Sequence, residues 1–422
     1  MFFSYLIEHN RYLNFFGIAF ILLIAYLFST NKKKIDYRLV VTALIMQFVI
    51  GFIALKTWFG ATALYYVSSL VEQLYLFAGK GIEFLFGPLG VNMAPWGVVF
   101  AIQILPIIVF FGALMSLLFH LGVVQYLVAG INFVVRPLLG TSGAETLCAV
   151  ANSFLGQTEA PLLVQHYLKD MTRSELFVVM VSGMATISGS ILAVYSKLGV
   201  PTASMLAASA MAIPASILIA KIMIPETEQT KTGGDTPIVL ERKTKNIFDA
   251  ISAGTTDGLN LALNVGAMLI VFISLIGMLD AILLYFSIGV NTFFSLVHLD
   301  WQMPLLNLKV IFAILFRPFA FFLGFSGETA VKVAELLGTK VSINEFVAFL
   351  EMVPMHLSAR AETIITYALC GFANFSCIGI QIGGIGVLVP EKRQWLTELG
   401  LKTVLASSLA NLSSAMIASL LI

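Results

Sequence analysis

The sequence predicts an all-α membrane protein: eight transmembrane helices plus two re-entrant helical hairpins, set in inverted repeats and accompanied by interfacial helices. Three observations predict it. The 422 residues are 59% hydrophobic and 11% charged, with mean hydropathy +0.95, against about 45–50% apolar and about 25% charged in soluble domains. Apolar runs recur near the ~20 residues that cross a bilayer as helix. A set of ordered motifs occurs twice.

The runs fall around 12–29, 40–59, 98–119, 177–196, 202–222, 262–286, 363–389 and 402–422. A helical bundle follows, because the period-2 alternation of a membrane barrel is absent. Arg11 precedes a run long enough to span, with no small-residue cleavage pattern behind it, so the first span is expected to remain. Lys32, Lys33, Lys34 and Arg38, then Lys169 and Arg173, then Lys231, Arg242, Lys243 and Lys245, then Lys392 and Arg393 make the basic loops. The positive-inside rule places all four in the cytoplasm and both termini outside it. Residues 60–95 carry Glu72, Lys80 and Glu83 among aromatic and leucine positions, the pattern of an interfacial helix.

The repeat sets the domain organisation. "RPLLGTSGAETLCAVANSFLG" from Arg136 matches "RPFAFFLGFSGETAVKVAELLG" from Arg317, with Glu145 and Glu328 in corresponding places, and "GMATIS" from Gly183 matches "GFANFS" from Gly371. Ordered tracts at a nearly constant offset indicate duplication. Each unit holds three full spans, an odd number, so the second enters the membrane from the opposite side. The expected divisions are two spans and an interfacial helix in 1–97, a first repeat in 98–222 with a hairpin near 145–168, a Gly-, Thr- and charge-rich cytoplasmic linker in 223–250, and a second repeat in 251–422 with a hairpin near 328–357. Inverted repeats built on interrupted hydrophobic segments mark secondary transporters, whose sites lie where the broken helices meet.

Within "NSFLGQTEAPLLV", Gln157, Thr158 and Glu159 are consecutive. Helix residues project about 100° apart, so all three reach one cavity only if the backbone breaks there. Gly156 and Pro161 flank the break. In the twin, Gly338 precedes "TKVSINEF", where Ser342 or Asn344 can cap a half-helix with Glu345 in its first turn. A carboxylate at the bilayer centre costs about 2.5–3.5 kcal/mol, so Glu159 and Glu345 require partners. Glu145 and Glu328 read instead as structural helix-start residues. "GMATISGS" and "GFANFSCIGIQIGG" loosen two spans; Asn374 and Cys377 share a helix face, with Phe372 beside them. Such a lining of oxygens and amides, with few fixed cations, suits a neutral, hydroxyl-rich solute.

Other classes find little support. Cys148, Cys370 and Cys377 have no metal spacing. A net charge of +1 offers nucleic acid no dense basic face. There is no Walker-type loop, and neither HExxH nor GxSxG occurs among the scattered histidines. An intramembrane enzyme using Glu159 and Glu345 as an acid/base pair, a channel, and a carrier for another solute stand as alternatives.

At "GQTEAPLLV", "SGMATISGSILAVY", "LALNVGAMLI", "INEFVAF" and "ALCGFANFSCIGIQIGG" the chain resembles the concentrative nucleoside transporter family, bacterial sodium/nucleoside symporters among them, from about Val98 to its end. The resemblance implies a homotrimer of eight-span protomers in the plasma membrane, the inner membrane in a Gram-negative cell. In each, a scaffold surrounds an elevator-like transport domain that imports nucleosides with a cation. It implies that Gln157, Thr158 and Glu159 contact the nucleobase, that Glu345, Asn374 and the position of Cys377 contact the ribose, and that Phe372 lies beside them. It implies Na⁺ ligands at the Asn152 and Thr186 side chains and the Leu155 and Ile187 carbonyls, with no other cofactor. Proton coupling is the alternative; Asn152 favours Na⁺. Many relatives carry serine where this chain has Cys377, and a thiol is the weaker hydrogen-bonding group.

Overall fold

The computed structural model describes residues 2–90, 99–232, 244–298 and 301–422, and every regular element among the described residues is helical. Part of the expected 223–250 linker, with Arg242 and Lys243, lies outside the described residues, as do positions 91–97 of the expected N-terminal region.

The chain begins with α1 (Phe2–Ile7), α2 (Tyr12–Leu27), α3 (Tyr37–Lys56) and α4 (Trp58–Phe86). Asp36 starts α3 by accepting from the Arg38 and Leu39 amides, satisfying donors that a helix start leaves open. The 29-residue α4 covers the stretch read as interfacial, and Glu72, Lys80 and Glu83 lie along it.

Two series of helices follow. The first is α5 (Phe100–Gln103), α6 (Leu105–His120), α7 (Val123–Leu139), α8 (Gly143–Asn152), α9 (Gln165–Leu168), α10 (Arg173–Ala185), α11 (Gly189–Lys197) and α12 (Thr202–Met223). The second is α13 (Ile247–Leu296), α14 (Leu308–Phe322), α15 (Gly327–Ser342), α16 (Glu345–Met352), α17 (Ala359–Leu369), α18 (Phe375–Leu388) and α19 (Arg393–Leu421). The duplicated motifs now have a physical meaning. Arg-Pro puts Pro137 and Pro318 inside α7 and α14. Leu-Gly ends each helix: Gly140 and Gly324 sit at φ +66° and +87°, the left-handed closure that glycine permits. Ser-Gly then opens the next helix. At Ser142 this is a full capping box with Glu145. Ser326 makes no side-chain cap, and Glu328 pairs instead with Lys332 at 2.7 Å. Both glutamates thus stand at helix starts.

The spans differ in detail from the expected set. Among the described residues seven helices are long and apolar enough to cross a membrane, or eight if the α14–α15 pair, bent by 118°, is one span. The run 363–389 is no single helix: α17 ends at Leu369 and α18 begins at Phe375. The run 177–196 is likewise interrupted, between α10 and α11. The sequence reading passed over α7 and α14, which are short and carry Arg136-Pro137 and Arg317-Pro318. The 10 residues of α8 rise about 15 Å at ~1.5 Å each, half of a ~30 Å core.

The core lies around α10 with α11, α12 and α19: the most apolar stretches of 173–197, 202–223 and 390–421 are 94%, 78% and 89% buried, whereas that of α13 is 6% buried. α13 crosses α6 so closely that a Cβ on Gly254 would stand 2.6 Å from the Gly112 carbonyl. Small residues permit this approach.

Candidate functional site

The second hairpin turns between α15 and α16. Asn344 accepts from the Val347 amide and starts α16, placing Glu345 in its first turn, where the helix dipole favours a carboxylate. Glu345 is 4% exposed. Its Oε1 accepts from the Tyr195 hydroxyl of α11 at 2.7 Å and its Oε2 from Asn374 Nδ2 at 3.1 Å. Asn374 caps α18 in turn, its Oδ1 accepting from the Cys377 amide at 3.0 Å and the Ser376 hydroxyl at 2.6 Å. Tyr195 is held by Phe349, ring centroids 4.8 Å apart.

The first hairpin reaches the same place. Gln157 Nε2 lies 3.2 Å from the Cys377 sulfur, so hairpin one, hairpin two and a broken helix meet in one buried cluster. Gln157 Oε1 is buried and has no partner, leaving an acceptor open to a donor. The neighbouring side chains diverge. Thr158 packs on α18, its methyl 2.6 Å from where a Gly384 Cβ would lie. Glu159 is exposed, and its carboxylate accepts only from the nearby Gly156 amide, at 3.3 Å. It does not touch the Glu345–Asn374 pair.

The backbone breaks at Gly156 as expected, with the residues on either side in turns. One local expectation is corrected. Pro161 opens not an α-helix but a 3₁₀ segment, Ala160–Val164, before the single turn of α9. Its missing N–H suits either start.

The two interrupted helices cross at their breaks. Thr186 lies in extended backbone after α10, and its carbonyl accepts from the Phe372 amide at 3.4 Å. Phe372 is half-buried there. Gly371 is required at φ +152°, where a Cβ would stand 2.5 Å from Asn411 Oδ1 and 2.8 Å from the Ala185 carbonyl.

A second polar locus adjoins the first hairpin. Asn152 Nδ2 donates to the Ser182 hydroxyl at 3.0 Å, and Thr186 Oγ1 donates to the Ser182 carbonyl at 2.9 Å. Asn152 Oδ1 is fully buried without a partner. An orphaned amide oxygen beside hydroxyls and carbonyls, with Leu155 and Ile187 buried nearby in sequence, is a hard-oxygen set that fits an alkali cation. Among the described residues no group of three or more His, Cys, Asp or Glu could hold a metal ion.

Sequence reasoning missed several members. Tyr195 stood inside a quoted motif but looked like any apolar-span residue. Gln381, fully buried, donates to the Met180 carbonyl at 2.8 Å; its place seven residues after Asn374 on the same helix was a usable signal. Lys340 is a fixed cation that the sequence reading did not single out: it is 2% exposed and donates to Asn411 Oδ1 and the Ala368 carbonyl.

Comparison with known proteins bears on this arrangement. Residues 16–89 match the family model for the Na⁺ dependent nucleoside transporter N-terminus, 101–202 the "Nucleoside recognition" gate model, and 204–419 the Na⁺ dependent nucleoside transporter C-terminus. The chain is 39% identical over 417 residues to nucleoside permease NupC of Helicobacter pylori, covering 96% of both. It is 42% identical over 416 residues to an uncharacterized transporter of Haemophilus influenzae, again covering 96% of both. Against sodium/nucleoside cotransporter 1 of Rattus norvegicus it is 35% identical over 430 residues, spanning 98% of this chain and 64% of that protein. CNTnw in an inward-facing substrate-bound state superposes with TM-score 0.88 at 39% identity over 97% of each chain. Variants of CNTnw in an outward-facing state superpose equally well, at 38% identity. Three matched segments along the chain and relatives covering nearly all of it place this multi-pass membrane protein in the concentrative, Na⁺-dependent nucleoside transporter family.

Proposed function

We propose that the protein is a Na⁺-coupled nucleoside symporter that imports nucleosides by elevator-like alternating access. One observation carries the reading: the Gln157–Cys377 contact and the Tyr195–Glu345–Asn374 chain bring two hairpins and two broken helices to one buried, hydrogen-bonding cluster. Glu345 offers carboxylate oxygens to sugar hydroxyls, Asn374 orients it, and Gln157 Oε1 is free to accept from a nucleobase. Thr158, Glu159 and Phe372 complete the contact set in this reading, with Cys377 lending a weaker partner than a hydroxyl.

Asn152, Thr186 and the Leu155 and Ile187 carbonyls would hold Na⁺, as the open Asn152 oxygen supports. Moving one cation through 100 mV releases about 2.3 kcal/mol, and ~1.4 kcal/mol is tenfold. The potential alone then sustains roughly 50-fold accumulation of a neutral solute.

In this reading 98–222 and 251–422 are inverted repeats, preceded by the 1–97 spans and interfacial helix and joined through a cytoplasmic 223–250 linker. Their hairpins and broken helices travel together against a scaffold. The exposed apolar length of α13 supports an assembly surface, in keeping with a homotrimer in the plasma membrane with both termini extracytoplasmic. Reconstituted uptake across a nucleoside panel, with Na⁺ replaced by choline at two pH values, tests the reading. Na⁺-dependent uptake is expected; equal rates after replacement overturn the cation assignment, and no uptake of any nucleoside overturns the substrate.

A further inference from the structure

Both interrupted helices end at the same point with their carbonyls converging. The Asn411 amide of α19 bridges them, Nδ2 donating to the Ala185 carbonyl at 2.7 Å and the Cys370 carbonyl at 2.8 Å. Ala185 is the last residue of α10, and Cys370 directly follows α17. Each helix C-terminus carries roughly half a negative charge, so two such ends meeting in a buried place call for a cation. Lys340 supplies one. Its Nζ donates to Asn411 Oδ1 at 2.7 Å and to the Ala368 carbonyl in the last turn of α17 at 2.8 Å. These are the short distances of charge-assisted bonds, and among the described residues no carboxylate stands within salt-bridge distance of this ammonium.

The two halves therefore answer the same electrostatic need differently. In the first, a hairpin residue, Asn152, presents an unpartnered buried oxygen beside the last turn of α10. In the second, a hairpin residue, Lys340, presents an ammonium to the last turn of α17. The oxygens around it, two from carboxamide and carbonyl groups, are of the kind that coordinate an alkali ion.

We propose that the Lys340 ammonium is a tethered cation at the junction of the two interrupted helices, holding the place a second mobile ion would otherwise take, so that the protein couples one mobile cation to each nucleoside. The inference rests on the cation-coupled reading above. Lys340 is a positioning residue: it touches neither nucleoside nor mobile ion, and sets how many ions the cycle uses.

Two measurements in proteoliposomes test it: the Na⁺ dependence of uptake, and the charge moved per nucleoside from paired current and tracer flux. The wild-type protein is expected to show a Hill coefficient of about 1 and about one charge per nucleoside. Lys340→Ala vacates the oxygens for a second ion, so its Hill coefficient moves toward about 2 and its half-saturating Na⁺ rises. Lys340→Arg keeps the wild-type count. Lys340→Gln retains a donor for the Ala368 carbonyl without the charge; a merely structural lysine predicts wild-type ion dependence for it, whereas the tethered cation predicts the alanine behaviour. An unchanged count in the Ala and Gln variants overturns the proposal, as does a wild-type count of two, which decides the matter even if the variants do not fold. If wild-type uptake ignores Na⁺, the coupling-ion assignment falls instead, and the charge count per nucleoside still reads Lys340.

Discussion

Glu345 concentrates the energetics of the cluster in one side chain. It accepts from Tyr195 and Asn374, and bonds to a charged partner are worth about 1.5–3 kcal/mol each. Glu345→Gln and Asn374→Ala are expected to lower uptake by roughly 10- to 150-fold per bond lost, with the monodisperse elution profile retained. Near-normal uptake by either variant would remove that residue from the site. Gln157, Asn374 and Cys377 were legible beforehand because amides and a thiol are conspicuous inside apolar runs. Tyr195 was not, since a tyrosine is at home in a span and its partner lies 150 positions away. Lys340 was hidden for a related reason: a lysine next to a hairpin tip reads as a side chain reaching for water, and only the fold brings Asn411 to it. Glu159 shows the limit of adjacency: it follows Gln157 by two positions, yet its carboxylate bonds the Gly156 amide rather than the partners of Gln157 or Glu345.

Among the elements, the breaks and starts decide the architecture. Gly371→Ala would press a methyl onto Asn411 Oδ1 and the Ala185 carbonyl; overpacking of this kind costs about 1–3 kcal/mol, which a lowered melting temperature in detergent would register. The start of α8 makes a second case. Glu145 both completes the capping box and pairs with Lys221 at 2.8 Å, the side chains 2% and 8% exposed. Breaking a buried pair by removing one partner costs about 3–5 kcal/mol. Glu145→Leu should therefore destabilise strongly, while the double variant with Lys221→Met recovers most of the loss; equal stability of the two would show the pair to be dispensable. Motif order alone revealed these helix starts, because a stop by glycine and a start by serine leave a fixed spacing. The helices α7 and α14 escaped notice, since a proline and an arginine within 17 and 15 residues break the hydropathy signal of a span. The 3₁₀ form of Ala160–Val164 was equally invisible, proline being compatible with either helix type.

At the scale of the whole molecule, the proposed elevator requires a moving body and a scaffold, and the buried α10, α12 and α19 contrast with the exposed α13. Single cysteines placed at the two hairpin arms, probed with a membrane-impermeant thiol reagent, should label from opposite sides of the membrane; labelling from one side only would end the inverted arrangement. Duplication and sidedness are expectations of the sequence, because repeats and basic loops are one-dimensional signals, and the labelling decides them. The meeting of Gln157 with Cys377, 220 positions apart, is a property of the closed fold. The most direct measurement is the steady-state nucleoside concentration inside sealed proteoliposomes under an imposed inward Na⁺ gradient. The account predicts accumulation above the external level that collapses when a Na⁺ ionophore is added; equilibration to the external level, with no response to the ionophore, would contradict it.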